Sequence, residues 1–262
     1  MPESVEQTVR VTSQTVVASA NVLRSLGRSD ARAALAGVLA EEPDLVGLQE
    51  WNITRLSLLR ETGRVGIVPF ARRATGRSGY LWSAPLVGGC PVGARADRFE
   101  LLESRVRLLS RPGRADRPNR RWGLELPRLA TVAVYRDKAV ERTVCLVNYH
   151  LVPAVQARGL YQSDRPRLVA RHQGEVAGLQ RIVDEQLERG RAVFAVGDSN
   201  FDGLRLHGLT SAWEGRESHP GTLGGKRKID DVHGPGLATS VLLLSNASDH
   251  KAVIARRDDA AD

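Results

Sequence analysis

The chain has 262 residues, of which 42% are hydrophobic and 26% charged, the composition of a folded globular protein rather than a disordered one. No stretch approaches the roughly 18 apolar residues that a membrane-spanning helix needs. The first ten residues lack the basic and apolar regions of a secretory signal. We therefore expect a cytoplasmic protein that does not associate with membranes.

The chain is basic, with a formal net charge of +8. A basic surface favours polyanionic partners such as nucleic acid, anionic lipid or phosphorylated metabolites. Only four of the 38 basic residues are lysine, however, and an arginine bias of this kind also arises from genome composition alone. The two cysteines, Cys90 and Cys145, allow one disulfide but exclude a disulfide scaffold.

The chain opens with a predicted strand, a helix and a second strand. Thr15–Ala20 and Leu45–Leu48 are the two apolar runs that predict strands. Between them, Ser29 is expected to cap a helix over Asp30–Glu42, which Pro43 follows directly. A polar residue stands just after each of the two strands.

The rest of the chain is richer in strands than in helices. One long helix is predicted over Arg167–Arg189, where apolar residues recur at steps of three and four before Gly190. Because the strands do not alternate regularly with helices, the pattern favours an α/β (α+β) protein with two packed sheets and outer helices. The predicted strands are Val65–Phe70, Tyr80–Ser83, Leu101–Leu109, Leu129–Tyr135, Thr143–His150, Ala192–Val196, Lys228–His233, Ala238–Leu244 and Ala252–Ala255.

Chemically active side chains recur at the ends of these strands, where functional groups are often displayed. The set consists of carboxylates, amides and histidines, and it contains no cysteine or serine nucleophile. Hard oxygen ligands of this kind suit Mg²⁺ or Mn²⁺ rather than Zn²⁺. The residues are Asn21, Glu50, His150, Asp198, Asn200, Asp230, Asp249 and His250.

Six short segments resemble, in the same order, the signature blocks of the endonuclease/exonuclease/phosphatase superfamily, which has the deoxyribonuclease I-like fold. One block alone is a weak signal, but six in order make the resemblance specific. They span residues 19 to 250, nearly the whole chain. The segments are Ser19–Val22, Leu48–Trp51, Asn148–Leu151, Val196–Asn200, Ile229–Val232 and Ser248–His250.

The resemblance implies a four-layer αββα sandwich, in which two packed and mainly antiparallel sheets are flanked by helices. We expect a single domain over residues 1–262, with its core over about 15–257, and a monomer without a protein partner. The resemblance also implies a phosphoric ester hydrolase that depends on Mg²⁺, for which Mn²⁺ is a substitute. The implied metal ligands are Glu50, Asp249 and Asn21, and the number of metal ions, one or two, stays open.

The resemblance assigns further roles at the reacting phosphate. Asp198 would orient or deprotonate the attacking water, and Asn200 would hold a phosphate oxygen. His250 would lie beside the scissile phosphate as a base or a cation. Its partner would be Asp230, with Asp231 as the alternative.

The remaining implied residues contact the substrate. His150 would donate a hydrogen bond to the phosphate or to the leaving group, with Tyr149 as a minor rival. Arg128 and Asn21 would bind the substrate phosphate. Because water attacks directly in this arrangement, no covalent enzyme intermediate is expected.

Fold and catalytic blocks do not select the substrate. Three basic segments, Ala71–Arg77, Arg105–Arg121 and Gly224–Lys228, could follow a nucleic-acid backbone, with Trp82 or Trp122 stacking on a base. Alternatively, they are solvated loops. A nuclease acting on nucleic acid is the leading prediction. The alternatives are a phosphatase or phosphodiesterase acting on a small or lipid-like phosphate ester, and a non-catalytic protein that binds nucleic acid or a protein partner.

Overall fold

The computed structural model describes residues 14–68, 73–117 and 121–258, without the side chains of residues 117, 121 and 122. Within these ranges the chain forms two large β-sheets, two short hairpins and three α-helices. The larger sheet takes its strands from both ends of the chain, and the smaller sheet takes them from the middle.

The larger sheet has seven strands. They are β1 (Gln14–Asn21), β2 (Leu45–Gln49), β3 (Gly63–Val68), β4 (Tyr80–Pro85), β5 (Val92–Arg95), β16 (Ser240–Leu244) and β17 (Ala252–Asp258). Their order across the sheet is β16-β17-β1-β2-β5-β4-β3. The pairs β1–β2 and β3–β4 are parallel, and the other four pairings are antiparallel.

The smaller sheet has six strands. They are β6 (Phe99–Ser110), β9 (Arg128–Asp137), β10 (Arg142–His150), β13 (Ala192–Asp198), β14 (Thr210–Ser211) and β15 (Asp230–Gly234). Their order is β14-β15-β13-β10-β9-β6, in which only the pair β10–β13 is parallel.

The remaining elements lie outside the two sheets. Two hairpins pair β7 (Gly113–Arg117) with β8 (Arg121–Glu125) and β11 (Gln156–Ala157) with β12 (Leu160–Tyr161). The helices are α1 (Arg28–Ala40), α2 (Leu56–Thr62) and α3 (Pro166–Glu188), and a 3₁₀ turn at Ile53–Arg55 precedes α2. In the described part of the chain, none of these helices has the length and apolar character required to cross a membrane.

Three apolar layers hold the sheets and helices together. Successive residues of a strand point to opposite faces, so Val17 of β1 packs between the sheets while Val16 and Ala18 face α1. Helix α1 covers this outer face with residues such as Leu35. Helix α3 covers the outer face of the smaller sheet with residues such as Leu179. The predicted four-layer αββα sandwich with mainly antiparallel sheets is therefore confirmed.

Most of the predicted strands are present with shifted ends, but the first helix begins earlier than expected. It starts at Arg28 with Gly27 at its N-cap, and Ser29 makes no capping hydrogen bond. The last residues of the strand predicted over Val65–Phe70 lie outside the described residues. Strand β5, helix α2 and the hairpin β7–β8 are not predicted, because they are too short or too charged to give a periodic apolar pattern.

The two cysteines do not form the disulfide that their number allows. Cys90 and Cys145 are both buried and free. Burial raises the pKa of each thiol to about 12. Both are therefore protonated and unreactive near neutral pH.

Candidate active site

Two pairs of parallel strands bring polar residues to one end of the sandwich. In the larger sheet β1 and β2 run parallel, with Asn21 opposite Gln49, so Asn21 and Glu50 emerge at the same edge. In the smaller sheet β10 and β13 run parallel, with His150 opposite Asp198. Asn21 Nδ2 donates to Asp198 Oδ2 over 3.1 Å, so the two edges meet.

A buried amide pair joins the sheets beneath these strand ends. Asn148 Nδ2 of β10 donates to the backbone carbonyl oxygens of Leu48 and Pro91, each over 2.8 Å. Its Oδ1 accepts a hydrogen bond from Gln49 Nε2 over 2.7 Å. Because these groups are buried, their hydrogen bonds fix the spacing of the two sheets at the base of the site.

The side chain of Asn21 links the two acidic residues nearest to it. Its Nδ2 lies 3.4 Å from Glu50 Oε1, in addition to the hydrogen bond with Asp198. The second oxygen of Glu50 accepts from the backbone N–H of Arg24 over 2.9 Å. Asn21 Oδ1 is buried and has no hydrogen-bond partner within the described residues. A buried oxygen left in this state is destabilising unless a ligand occupies it.

Two histidines lie beside Asp198. His250 Nδ1 is 2.8 Å from Asp230 Oδ2, a hydrogen-bonded pair, and 3.9 Å from Asp198 Oδ2. His150 Nε2 is 3.6 Å from the same oxygen of Asp198. Asp231, the alternative partner of His250, instead accepts hydrogen bonds from Ser211 Oγ and from backbone N–H groups. The structure therefore pairs His250 with Asp230.

The carboxyl group of Asp198 is poised to exchange a proton near neutral pH. Burial raises the pKa of Asp198 to about 7, and the negative charge of Asp230 contributes to the rise. The positive charge of His250 and hydrogen bonds from Asn200 N–H and Asn21 oppose it. A general base is most effective when its pKa lies near the working pH.

The two histidines differ in charge. Burial lowers the pKa of His250, but the hydrogen bond and charge of Asp230, with the charge of Asp198, outweigh it and raise the pKa to about 9. His250 is therefore an imidazolium at neutral pH. Burial and the positive charges of Arg128 and His250 lower the pKa of His150 to about 3, so His150 is neutral.

Two of the candidate residues have strained backbone conformations. Glu50 and Asn200 adopt φ angles of 56° and 52°, in the left-handed region that non-glycine residues rarely occupy. Asn200 N–H donates to Asp198 Oδ1 over 2.7 Å, and its Nδ2 donates to the carbonyl oxygen of Leu151 over 3.1 Å. These contacts hold the turn after β13, and strain of this kind is concentrated at functional sites.

The other candidates lie at the margin of this cluster or outside it. Arg128 is half-buried at the start of β9, 4.0 Å from Glu125. Its positive charge contributes to lowering the pKa of His150. Asp249 is exposed and accepts a hydrogen bond from Ser248 Oγ over 3.4 Å, and none of the contacts above includes it. Tyr149 is buried on the opposite face of the smaller sheet, in the layer beneath α3, so it does not face the cluster.

The residues of this cluster fit a divalent cation. Ligand atoms of Asp198, Asp230 and His250 lie within 4.8 Å of one another. In this group the hydrogen bond between His250 and Asp230 competes with metal ligation, because a protonated imidazole nitrogen cannot bind a cation. Glu50 and the unpartnered Oδ1 of Asn21 offer oxygen ligands without this conflict, which suits Mg²⁺.

The structure changes the interpretation of the basic segments. Arg105 and Arg107 lie on β6 and donate to Glu185 over 2.9 and 2.7 Å, so this part of Arg105–Arg121 is neither a loop nor free to bind phosphate. Trp82 is buried, which excludes it as one of the two tryptophans that could stack on a base. The side chain of Trp122 lies outside the described residues.

Sequence reasoning assigned no role to the two residues at the base of the site. Gln49 and Asn148 lie within the recognised blocks, and both are polar residues inside strands that are otherwise buried. A polar residue on a buried strand face must find a hydrogen-bond partner. This signal could have identified them, although their partner across the sheets could not be read from the sequence.

No protein-family model and no curated protein matches this chain in sequence. Several solved structures match it in fold. D. rerio TDP2 complexed with single strand DNA product has a TM-score of 0.62 and 17% identity, over 93% of this chain and 98% of that chain. The human Nocturnin catalytic domain with bound sulfate anion has a TM-score of 0.61 and 16% identity, over 93% of each chain.

The description of a third structure names the superfamily that the six sequence blocks resemble. The endonuclease/exonuclease/phosphatase from Bacteroides vulgatus has a TM-score of 0.62 and 18% identity, over 93% of this chain and 98% of that chain. At sequence identities this low, the similarity to these structures shows the fold alone. That fold is consistent with the arrangement of the two sheets and with the resemblance of the six sequence blocks. The chain therefore has the fold of the endonuclease/exonuclease/phosphatase superfamily.

Proposed function

We propose that this chain is a Mg²⁺-dependent phosphodiesterase that cleaves nucleic acid. The observation that carries the proposal is the continuous series of contacts from Glu50 through Asn21 and Asp198 to His250 and Asp230. This series spans both sheets and combines a group able to bind metal, a base with a pKa near 7 and a cation. The fold supports the proposal, since one similar structure holds a single strand DNA product.

In this proposal Glu50 and Asn21 Oδ1 hold the metal ion, and Asp249 is the third expected ligand. When bound, Mg²⁺ neutralises charge on the phosphate and stabilises the departing oxygen, and Mn²⁺ is expected to replace it. Asn21 Nδ2 contacts both carboxylates and so restrains the distance between Glu50 and Asp198. The backbone N–H of Arg24 donates to the other carboxylate oxygen of Glu50 over 2.9 Å and so restrains its orientation.

Asp198 activates the attacking water. Its pKa of about 7 allows it to accept a proton near neutral pH, and the N–H of Asn200 holds the carboxylate in place. The protonated His250, whose Nδ1 lies 3.9 Å from Asp198 Oδ2, stabilises negative charge that develops on the phosphate. Asp230 keeps His250 protonated through their hydrogen bond.

Three further residues contact the substrate in this proposal. His150 is neutral and therefore serves as a hydrogen-bond donor to the phosphate or to the leaving oxygen, and not as a cation. Arg128 supplies positive charge close to His150, and Asn200 holds a phosphate oxygen. Positioning and electrostatic stabilisation then supply most of the rate, without a covalent intermediate.

The first test is the conversion of supercoiled plasmid to nicked circle, measured with Mg²⁺, with Mn²⁺ and with EDTA. Asp198→Asn removes the base while keeping the shape of the side chain, and we expect nicking to fall by about 10²–10⁴-fold. Asp97→Asn is the matched control, since Asp97 is an exposed aspartate that pairs with Arg95. It should nick at the rate of the unmodified protein.

The alternatives are distinguished by offering RNA and small phosphate esters under the same metal conditions. If the protein hydrolyses bis(4-nitrophenyl) phosphate or a small phosphate monoester but not plasmid or RNA, the substrate is a small or lipid-like ester. If it turns over none of these with either metal, the catalytic proposal is wrong and a binding protein is indicated.

A further inference from the structure

A cavity of about 340 Å³ is lined by residues outside the candidate active site. Its walls come from the chain segments that carry the candidate catalytic residues. Asp202 and Leu204 stand two and four residues after Asn200, and Lys228 stands two residues before Asp230. One hydrogen bond joins this wall to the site, since Trp213 Nε1 donates to the carbonyl oxygen of Asp230 over 2.9 Å.

Aromatic rings form part of this cavity. Trp213 lines the cavity and is buried, with 8% of its surface exposed. His219 is exposed at the rim, with its ring centroid 6.4 Å from that of Trp213. Lys228 Nζ lies 5.4 Å from the Trp213 ring centroid and donates to the carbonyl oxygens of Arg216 and Glu217. The ring is thereby held in place while the imidazole of His219 stays accessible.

The charges around the cavity balance. Three basic residues, Arg205, Lys226 and Lys228, face three acidic residues, Asp202, Glu214 and Glu217. A phosphate site would have an excess of positive charge. A balanced ring of donors and acceptors around aromatic groups suits a neutral, flat molecule with polar edges.

We propose that this cavity binds the base of a nucleotide next to the phosphate that is cleaved. The inference rests on the proposed function and refines it, because it requires a substrate with a nucleobase on this side of the site. His219 stacks on the base, the carboxylates of Glu214 and Glu217 accept from its amino groups, and Lys226 donates to its carbonyl oxygens. The volume suits one nucleoside and lies at the lower end of the range for small-molecule sites.

The test compares ligands that differ only in the base. Each of the four ribonucleoside 5′-monophosphates and ribose 5-phosphate is titrated by calorimetry in EDTA, which prevents turnover. At least one nucleotide should bind roughly fivefold or more tightly than ribose 5-phosphate, the gain expected from one stacked base. His219→Ala should remove most of that gain.

The matched control is His207→Ala. His207 is also exposed, but it does not line the cavity, and its backbone N–H and carbonyl oxygen are the groups that bond to Gln180. This variant should keep the full preference for the nucleotide. If no nucleotide binds more tightly than ribose 5-phosphate, or if both variants lose the preference equally, the cavity does not bind a base.

The indole N–H signals of the four tryptophans locate the ligand independently. Trp213→Phe identifies the signal of Trp213 in a heteronuclear NMR spectrum, and that signal should shift with the nucleotide but not with ribose 5-phosphate. A shift confined to other tryptophans overturns the assignment.

These results are separable from the proposed function. Hydrolysis of bis(4-nitrophenyl) phosphate by the unmodified protein reports on the catalytic site without a base. If that hydrolysis occurs and base-dependent binding does not, only the inference about the cavity fails. If the base binds and no phosphodiester is cleaved, the proposed function fails while the cavity remains a nucleotide site.

Discussion

At the scale of single residues, the site is organised around the two oxygens of Asp198. One accepts the backbone N–H of Asn200, and the other faces Asn21, His150 and His250. Burial favours a neutral acid at this position, while the imidazolium of His250 favours a carboxylate. These opposing effects bring the pKa to about 7 and make protonation at the site sensitive to pH.

The pH dependence of catalysis follows from these two groups. With Asp198 as base and His250 as cation, kcat/KM should rise as the pH increases through about 7 and fall through about 9. A bound Mg²⁺ will move the acidic limb to lower pH, because the cation favours the carboxylate. A pH–rate profile with a chromogenic phosphodiester measures both limbs. His250→Gln should abolish the basic limb, and its persistence in that variant would contradict the assignment.

A second buried histidine makes stability depend on pH in the opposite direction from His250. His172 Nε2 donates to the carbonyl oxygen of Ser199 over 2.7 Å, and the hydroxyl group of Tyr161 lies 3.0 Å from Nδ1. Burial lowers the pKa of His172. As the pH falls, the histidine of the unfolded chain is therefore protonated at a higher pH than His172 of the folded protein. The stability that is present above pH 6.5 is lost as the pH falls toward the pKa of His172 in the folded state.

Urea unfolding between pH 7.5 and pH 5 tests this. The unfolding free energy of the unmodified protein should fall as the pH is lowered. In His172→Gln this slope should be smaller by up to about 1.4 kcal/mol per pH unit, which is the value for one titrating group. The exposed His207→Gln should leave the slope unchanged. Equal slopes in all three proteins would show that His172 does not titrate in this range.

At the scale of elements, the close approach of β2 to β13 sets the geometry of the site. A Cβ atom on Gly47 would lie 2.2 Å from Val196 Cγ2 and 2.9 Å from Asn148 Cγ. Only glycine fits, because the sheets are held together there by the hydrogen bonds of Asn148 with Leu48 and Gln49. Any increase in this spacing separates Asn21 and Glu50 from Asp198.

Gly47→Ala should therefore lower the unfolding free energy by about 1–3 kcal/mol, the cost of overpacking a core, and reduce activity in the folded protein. Gly37→Ala is the matched control. Gly37 lies in α1, and an added Cβ would meet Leu244 at an ordinary 3.6 Å, so alanine should stabilise the helix by roughly 1 kcal/mol. Chemical unfolding of both variants checks the opposite signs.

At the scale of the whole molecule, the sheets are also fastened at the end away from the site. The guanidinium of Arg98 donates to Asp137 of β9 over 2.7 Å and to Asp44, just before β2, over 3.0 Å. It also donates to the Gln14 carbonyl oxygen at the start of β1, whose other end carries Asn21. Gln14 and Asn21 are seven positions apart, about 23 Å along the strand.

Arg98→Met should cost about 3–5 kcal/mol of unfolding free energy, because it leaves the buried carboxylate of Asp137 without its cation and Asp44 with Arg95 alone, 3.6 Å away. The folded fraction should retain its activity, since the site lies at the other end of the sandwich. Arg136→Met, which removes an exposed pair with Glu141, should change neither quantity measurably. A loss of activity per folded molecule in Arg98→Met would show that the two ends are coupled.

The sequence by itself determined the fold class and the candidate chemistry of this protein. Strand-end residues such as Asn21, Glu50 and Asp198 were recognisable because local patterning places them after apolar runs and their order resembles one superfamily. Helix α3 was also predictable, since a long apolar stripe at helical spacing is a local signal.

Only the tertiary structure decided which groups meet and with what charge. Distances between residues far apart in the chain pair His250 with Asp230 rather than Asp231. They also make His150 neutral and His250 cationic. They bring Arg105 and Arg107 into ion pairs with Glu185. The cavity beside Trp213 was invisible for the same reason. Patterns along a sequence record local conformation and burial, whereas pKa values, ion pairs and cavities arise from packing across the two sheets.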